Sequence, residues 1–244
     1  MPGANVVMAG KKHISRLAAP ATWPIARKET KWIARPLPGA HTLEKGMPLI
    51  VYIRDLLNVV QSNKEAKSIL NQKLILVNGI AVKEPNFAVG LFDTLKILKY
   101  DKTYRVLLNQ RGKLCLIEIS ERELYTRPAK VVGKTTIKKG KIQIHLSNGW
   151  NFITDKDVYK TSDILLMDAK TRKPIKHIKL AKGCVIYITG GSHVGRVAEV
   201  EGFLEEGLLR KKKFILAKIS DQKIKVLASE VFAIGAEQPE IKVE

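Results

Sequence analysis

The residues with the most chemical promise in this chain form a loop, Thr189-Gly190-Gly191-Ser192-His193-Val194-Gly195-Arg196, set between the apolar runs Val185 to Thr189 and Arg196 to Val200. Glycines at this density admit positive φ and let the backbone approach a sugar-phosphate chain closely. Backbone N–H groups then serve as anion donors, with His193 and Arg196 adding side-chain donors. The loop lacks the closing Gly-Lys-Ser/Thr of a nucleotide-binding P-loop and leads into an apolar strand instead of a helix, which argues against an NTPase. A tight hairpin with no ligand is the bland alternative.

A second group lies at the N-terminus. Lys11, Lys12, His13, Arg16, Arg27, Lys28, Lys31 and Arg35 face one acid, Glu29, and are interleaved with Pro20, Pro24, Pro36, Pro38, Trp23 and Trp32. Prolines at this density break any long helix, and the apolar positions follow neither the helical nor the strand period. The segment reads as an extended basic arm, ordered by a polyanion on whose bases the tryptophans stack, with little burial on its own protein.

Other candidates for chemistry are weaker. Asp155, Asp157, Asp163 and Asp168 lie among Lys156, Lys160 and Lys170, the mixed charge of a solvated loop, and no metal or carboxylate site is expected there. His145 and His177 are isolated in strand-like runs. Cys115 and Cys184 have no partner cysteine nearby, so they read as small buried hydrophobes rather than a disulfide or zinc ligands.

Composition points the same way as the basic segments. The 244 residues include 43 Lys and Arg against 23 Asp and Glu, a net charge of +20, while a hydrophobic fraction of 45% allows a folded core. That excess opposes compaction unless a polyanion offsets it. No stretch approaches the roughly 18 to 20 apolar residues of a membrane span, and no signal-peptide core is seen at the N-terminus. Nucleic acid is the expected partner, in a reducing cytoplasm.

The elements that must position these groups are readable in outline. Leu49, Ile50, Ile53, Leu56, Leu57 and Val60 repeat at helical steps after Pro48, and Ser62 with Glu65 forms a capping box for a second helix. Leu74 to Val77 runs into Asn78-Gly79, a hairpin signal, and Leu95 to Leu98 reads as another strand. Tyr104 to Leu108, Leu114 to Ile119, Ile142 to Leu146 and Trp150 to Ile153 follow as short strands, with a short helix capped at Ser120. Val185 to Thr189, Arg196 to Val200, Phe214 to Ile219, Ile224 to Ala228 and Val231 to Ile234 complete a five-stranded barrel. The fold class is α+β, mostly β.

Two of these units resemble known modules. The helix pair with Val77-Asn78-Gly79, Val82, Pro85, Val89, Asp93 and Ile97 resembles the alpha-L RNA-binding motif, whose helices present basic residues to structured RNA. The matching positions here are Arg54, Lys64, Lys67 and Lys73. The chain departs from that motif in carrying Phe92, not glycine, before the aspartate, and fewer arginines. Lys182-Gly183-Cys184 through Val197 resembles the KOW motif of SH3-like barrels. In order, the arm, Arg35-Pro36 with His41, the alpha-L-like unit, the strand-rich middle and the KOW-like hairpin resemble, along almost the whole chain, small-subunit ribosomal protein four of the archaeal and eukaryotic type.

The resemblance implies a non-enzymatic, cofactor-free constituent of the cytoplasmic small subunit. It would contact small-subunit ribosomal RNA and neighbouring ribosomal proteins, with no membrane or small-molecule substrate. A free translation or transcription factor binding RNA through the KOW-like barrel is the alternative. A pseudouridine synthase would need a larger catalytic domain than the chain has room for. The expected organisation is a basic arm over 1–42, an alpha-L-like module over 43–105, a central β domain over 106–176, a KOW-containing barrel over 177–236 and a frayed acidic tail over 237–244.

Overall fold

In the computed structural model the described residues are 12–155, 157–206, 212–219, 222–236 and 238–243, without the side chains of residues 139 and 212. Nineteen strands and two short α-helices appear among them, a mostly β protein of α+β class. Lys11 of the arm lies outside the described residues.

The N-terminal segment departs from expectation. Strand β1 (His13–Ser15) pairs antiparallel with β2 (Trp32–Ala34), and the chain between them folds back. Trp23 is 1% exposed and packs with Ala19 and Ile33 among Leu49, Val51 and Tyr52. Its indole N–H reaches the carbonyls of Leu43 (3.2 Å) and Gly46 (3.1 Å). Arg16 is also buried, donating to Ala26 O and Glu29. An extended arm without its own burial is therefore corrected to a folded segment. Two three-residue strands are too short to show a period, and Trp23 with Ala19 and Ile33 supplies the burial that prolines seemed to preclude. Replacing Trp23 by Phe, which keeps most of the apolar volume and deletes the donor, is expected to lower stability by roughly 1–2 kcal/mol in urea unfolding of the free protein.

The second sheet gathers β4 (Ile75–Val77), β5 (Ile80–Ala81), β7 (Thr94–Ile97), β8 (Lys102–Leu108) and β9 (Leu114–Ile119) in the order β5-β4-β7-β8-β9. A separate ribbon pairs β3 (Gly46–Pro48) with β6 (Ala88–Gly90). Asn78 and Gly79 both take positive φ, +52° and +76°, as a two-residue hairpin demands. The first helix is shorter than its apolar period: α1 (Leu49–Val51) widens into a π-helical turn through Leu56, with Leu57 N–H bonded to Tyr52 O, and Asn58 at φ +50° ends it. Helix α2 (Asn63–Asn71) is capped by Ser62 Oγ, which accepts from Glu65 N–H at 3.2 Å. Glu65 in turn accepts from Gln61 N–H. The cap expected at Ser120 does not form; residues Glu121–Glu123 make a 3₁₀ turn without a side-chain bond.

The third sheet has the order β12-β11-β10-β13-β14, from β10 (Thr126–Thr136), β11 (Ile142–Leu146), β12 (Asn151–Thr154), β13 (Ile164–Asp168) and β14 (Pro174–Ile178). The fourth is β18-β17-β16-β15-β19, with β15 (Val185–Ile188), β16 (Val197–Glu206), β17 (Lys212–Ile219), β18 (Gln222–Leu227) and β19 (Val231–Gly235). The five strands expected there are all present. Two expected boundaries fall inside strands: 105 lies in β8, which hydrogen-bonds to β7, and 176 lies in β14, which pairs with β13.

The units share a core. Leu91, Phe92 and Leu107 pack with Ile164 and Leu166 of the third sheet and Ile186, Ile215 and Val231 of the fourth. The last residues join it, since Ile241 and Val243 are buried and Arg105, wholly buried, donates to Glu123 and Lys242 O. The tail expected to fray is thus anchored over 238–243, because its alternating Ile and Val bury apolar surface beside its acidic residues.

Candidate nucleic-acid interface

The glycine loop connects β15 to β16, closed at its base by Gly195 N–H to Ile188 O (2.8 Å) and Ile188 N–H to Arg196 O (3.1 Å). Its glycines do different things. A Cβ at Gly195 would lie 2.6 Å from the Asn109 carbonyl, so this glycine packs the loop against the β8–β9 turn. A Cβ at Gly190 would meet Glu230 Oε2 at 2.7 Å, and Gly190 is not in the left-handed region. Gly191 alone combines positive φ, +85°, with open space around its Cα. The expectation that Gly190 gives backbone access to a ligand is therefore replaced by a packing role, while Gly191, Ser192 and Arg196 are exposed and His193 half-exposed. Gly191→Val is expected to strain the loop by roughly 1–3 kcal/mol and weaken RNA binding. Gly190→Val should show its effect first as lost thermal stability, so measuring melting and binding side by side separates the two.

The structure brings this loop together with the N-terminal segment. Thr22, Arg111, Gly112, Gly190, Gly191 and Val194 line one cleft of about 420 Å³. Leu114 N–H bonds Thr22 O and Val194 reaches toward Gly112, so three segments distant in sequence form one face. Arg111 was not singled out from sequence; its place in a tight turn after Gln110 was the available signal.

The basic residues of the N-terminal segment divide. Lys12, His13, Arg27, Lys28, Lys31 and Arg35 are exposed. Arg27 holds its own loop through Leu17 O and Pro20 O. Trp32 is 56% exposed with Lys31 Nζ 5.6 Å from its ring, a platform open to stacking. Trp23 and Arg16, expected to face RNA, are core residues instead. On the helical unit Lys64, Lys67 and Lys73 are exposed. Arg54 is half-buried and bound to Asp55 (2.5 Å), whose hydrogen bond raises its pKa and whose charge neutralises it locally.

Behind these surfaces lies a buried ionic cluster that sequence reading did not assemble. Asp93 is 2% exposed and receives His41 Nε2 (2.7 Å), Arg127 (2.8 Å), Asn78 Nδ2 (2.9 Å) and Gly90 N–H (2.9 Å). Burial alone would raise its carboxyl; Arg127, then His41 and the Gly90 N–H, outweigh that and hold it well below the usual carboxylate range. Gly90 has no room for a Cβ because the His41 ring lies 2.4 Å from that position. The cluster thus ties the helical unit, the third sheet and the segment carrying the basic residues into one frame. Among the described residues no three His, Cys, Asp or Glu side chains gather so as to hold a metal ion.

Comparison with known proteins agrees with this architecture. Residues 8–44 match the RS4NT domain, and residues 100–174 match the family described as Ribosomal family S4e. A small ribosomal subunit protein eS4 from Methanosphaera stadtmanae is 38% identical over 236 residues, covering 97% of each chain. One from Methanocella arvoryzae is 36% identical, over 94% of this chain and 97% of its own. The crystal structure of the 30S ribosomal protein S4e from Thermoplasma acidophilum superposes with a TM-score of 0.68 at 29% identity, covering 79% of this chain and 96% of that one. The order of sheets, the folded basic N-terminal segment and similarity over nearly the full length lead to one assignment: the chain belongs to the small ribosomal subunit protein eS4 family.

Proposed function

We propose that this protein is a structural constituent of the small ribosomal subunit in the cytoplasm, bound to ribosomal RNA and adjoining other ribosomal proteins, and not an enzyme. The observation that carries this reading is the match to eS4 relatives across 97% of both chains. The net charge of +20 supports it, since a polyanion is needed to offset such an excess. In this reading the helices with the second sheet are an alpha-L-like module, and β15–β19 is an SH3-like barrel bearing the KOW loop. RNA is met by Lys12, His13, Arg27, Lys28, Lys31, Trp32 and Arg35, by Lys64, Lys67 and Lys73, and by Gly191 to His193 with Arg196.

A structural constituent should stay on purified small subunits through a high-salt wash, and appearance in the wash fraction would favour a free factor. The separate contributions are read from salt dependence. Because truncation of the N-terminal segment would remove Trp23 and Ile33 from the core, charge substitutions are the sound probe. Changing Lys12, Lys28, Lys31 and Arg35 to glutamine is expected to flatten the log–log salt slope of RNA binding by roughly 3 units, at about 0.7 to 0.9 per phosphate contact. A greater loss from Lys64, Lys67 and Lys73 changed to alanine would make the helical module the main anchor.

A further inference from the structure

We propose that the cleft where the His41 loop, β10 and the turn between β18 and β19 meet takes one unpaired nucleotide of the RNA, its base inserted and its phosphate held at the rim. This deepens the RNA-binding reading and rests on it. The cleft encloses about 670 Å³, within the range of roughly 300–1,000 Å³ typical of small-ligand sites.

Its charge is of one sign. Among the described residues the lining includes His41, Lys45, Arg127, Lys130 and Lys213 and no aspartate or glutamate. Arg127 is committed to Asp93, and Lys130 Nζ to the carbonyls of Ala228 (2.5 Å) and Val231 (3.0 Å). Lys45 and Lys213 are exposed, and their ion pairs to Glu230 and Glu205 are long, at 3.6 and 3.5 Å. They are the cations available to a phosphate.

Inside, one donor has no acceptor. Asn148 is 4% exposed and lines the cleft; its Oδ1 accepts from Trp150 N–H at 3.1 Å, which fixes the orientation of the amide. Its Nδ2, closed to solvent as the amide stands, has no hydrogen-bond partner among the described residues. Buried amides are almost always paired, so this group calls for an acceptor beyond those that the described residues give it. A base carbonyl or ring nitrogen supplies one. The rest of the lining sets the hydroxyls of Thr42, Ser147, Ser162 and Ser229 beside an apolar wall of Leu91, Val131, Leu227 and the half-buried ring of Phe232. An inorganic anion has no use for such a wall, whereas a base has a flat apolar face to lay against it.

The test uses the full-length protein bound to small-subunit RNA, with dimethyl sulfate and carbodiimide reading the accessibility of each base edge. Ser229 lies exposed at the cleft mouth, so Ser229→Trp fills the cleft without entering the core. The expected result is one unpaired nucleotide protected by the wild type and reactive with Ser229→Trp, the rest of the footprint unchanged and affinity lowered about 10-fold. Asn148→Leu should reproduce that single change. The inference is overturned, with the RNA-binding reading intact, if Ser229→Trp keeps the wild-type footprint and affinity, which would leave the cleft to water or to a neighbouring protein. If the wild type gives no footprint at all, the functional reading itself falls.

Discussion

Replacing Asp93 by asparagine is expected to destabilise the free protein by about 3–5 kcal/mol, the usual consequence of stranding a buried charge. The carboxylate accepts from His41, Arg127, Asn78 and Gly90 N–H at once. An asparagine of the same shape has one oxygen, and its amide hydrogens must face a group that is itself a donor. Arg127, 5% exposed, then keeps a full charge without a counter-ion. The pH dependence follows from the direction of the shift. A carboxyl held below its ordinary value, about 3.9 in an unfolded chain, contributes stability that is complete above that pH and is lost as pH falls through it toward the folded value. Wild-type stability should therefore drop steeply below about pH 4, and the Asp93→Asn variant, already weakened at pH 7, should lose less over the same interval. Chemical unfolding at a series of pH values measures both, and parallel curves would show that Asp93 is not the group responsible.

Asp93 also marks where sequence reading stops. It was singled out only through a resemblance to the alpha-L motif, whereas Asn78-Gly79 and the Ser62–Glu65 cap were legible because each acts within a few residues. The five strands of the last sheet were readable for the same reason, from alternation and turns. His41, 52 residues from Asp93 and 86 from Arg127, which also comes within 3.0 Å of it, carries no local signal of meeting either. Trp23 illustrates the limit differently: a tryptophan among prolines and lysines fits both a stacking platform and a core plug, and only the Leu43 and Gly46 carbonyls decide for the plug. Trp32, nine positions on, has the opposite fate. The glycine loop shows it again, since Gly190 and Gly195 are required by Glu230 and Asn109, residues that nothing local connects to them.

The position just before Asp93, where the alpha-L motif that this unit resembles carries glycine, leads to the second large effect. Phe92 lies at φ +66°, in the left-handed region that glycine enters without cost and an L side chain enters at about 1–2 kcal/mol. The strain is offset by packing. The Phe92 ring is 2% exposed, 4.9 Å from the Phe232 ring and 5.8 Å from that of Tyr187, joining the second sheet to the fourth. Phe92→Ala deletes the ring and keeps the strained backbone, so it is expected to cost about 3–5 kcal/mol. Phe92→Gly deletes the same ring but removes the strain, so its cost should be lower by about 1 kcal/mol. That reverses the ordinary order, in which glycine is the more damaging of the two. Guanidinium unfolding of the three proteins tests the argument. If the glycine variant is the less stable, the positive φ carries no strain and the departure from glycine has cost the chain nothing. If alanine is tolerated as well as phenylalanine, the three-ring contact does not hold the sheets together.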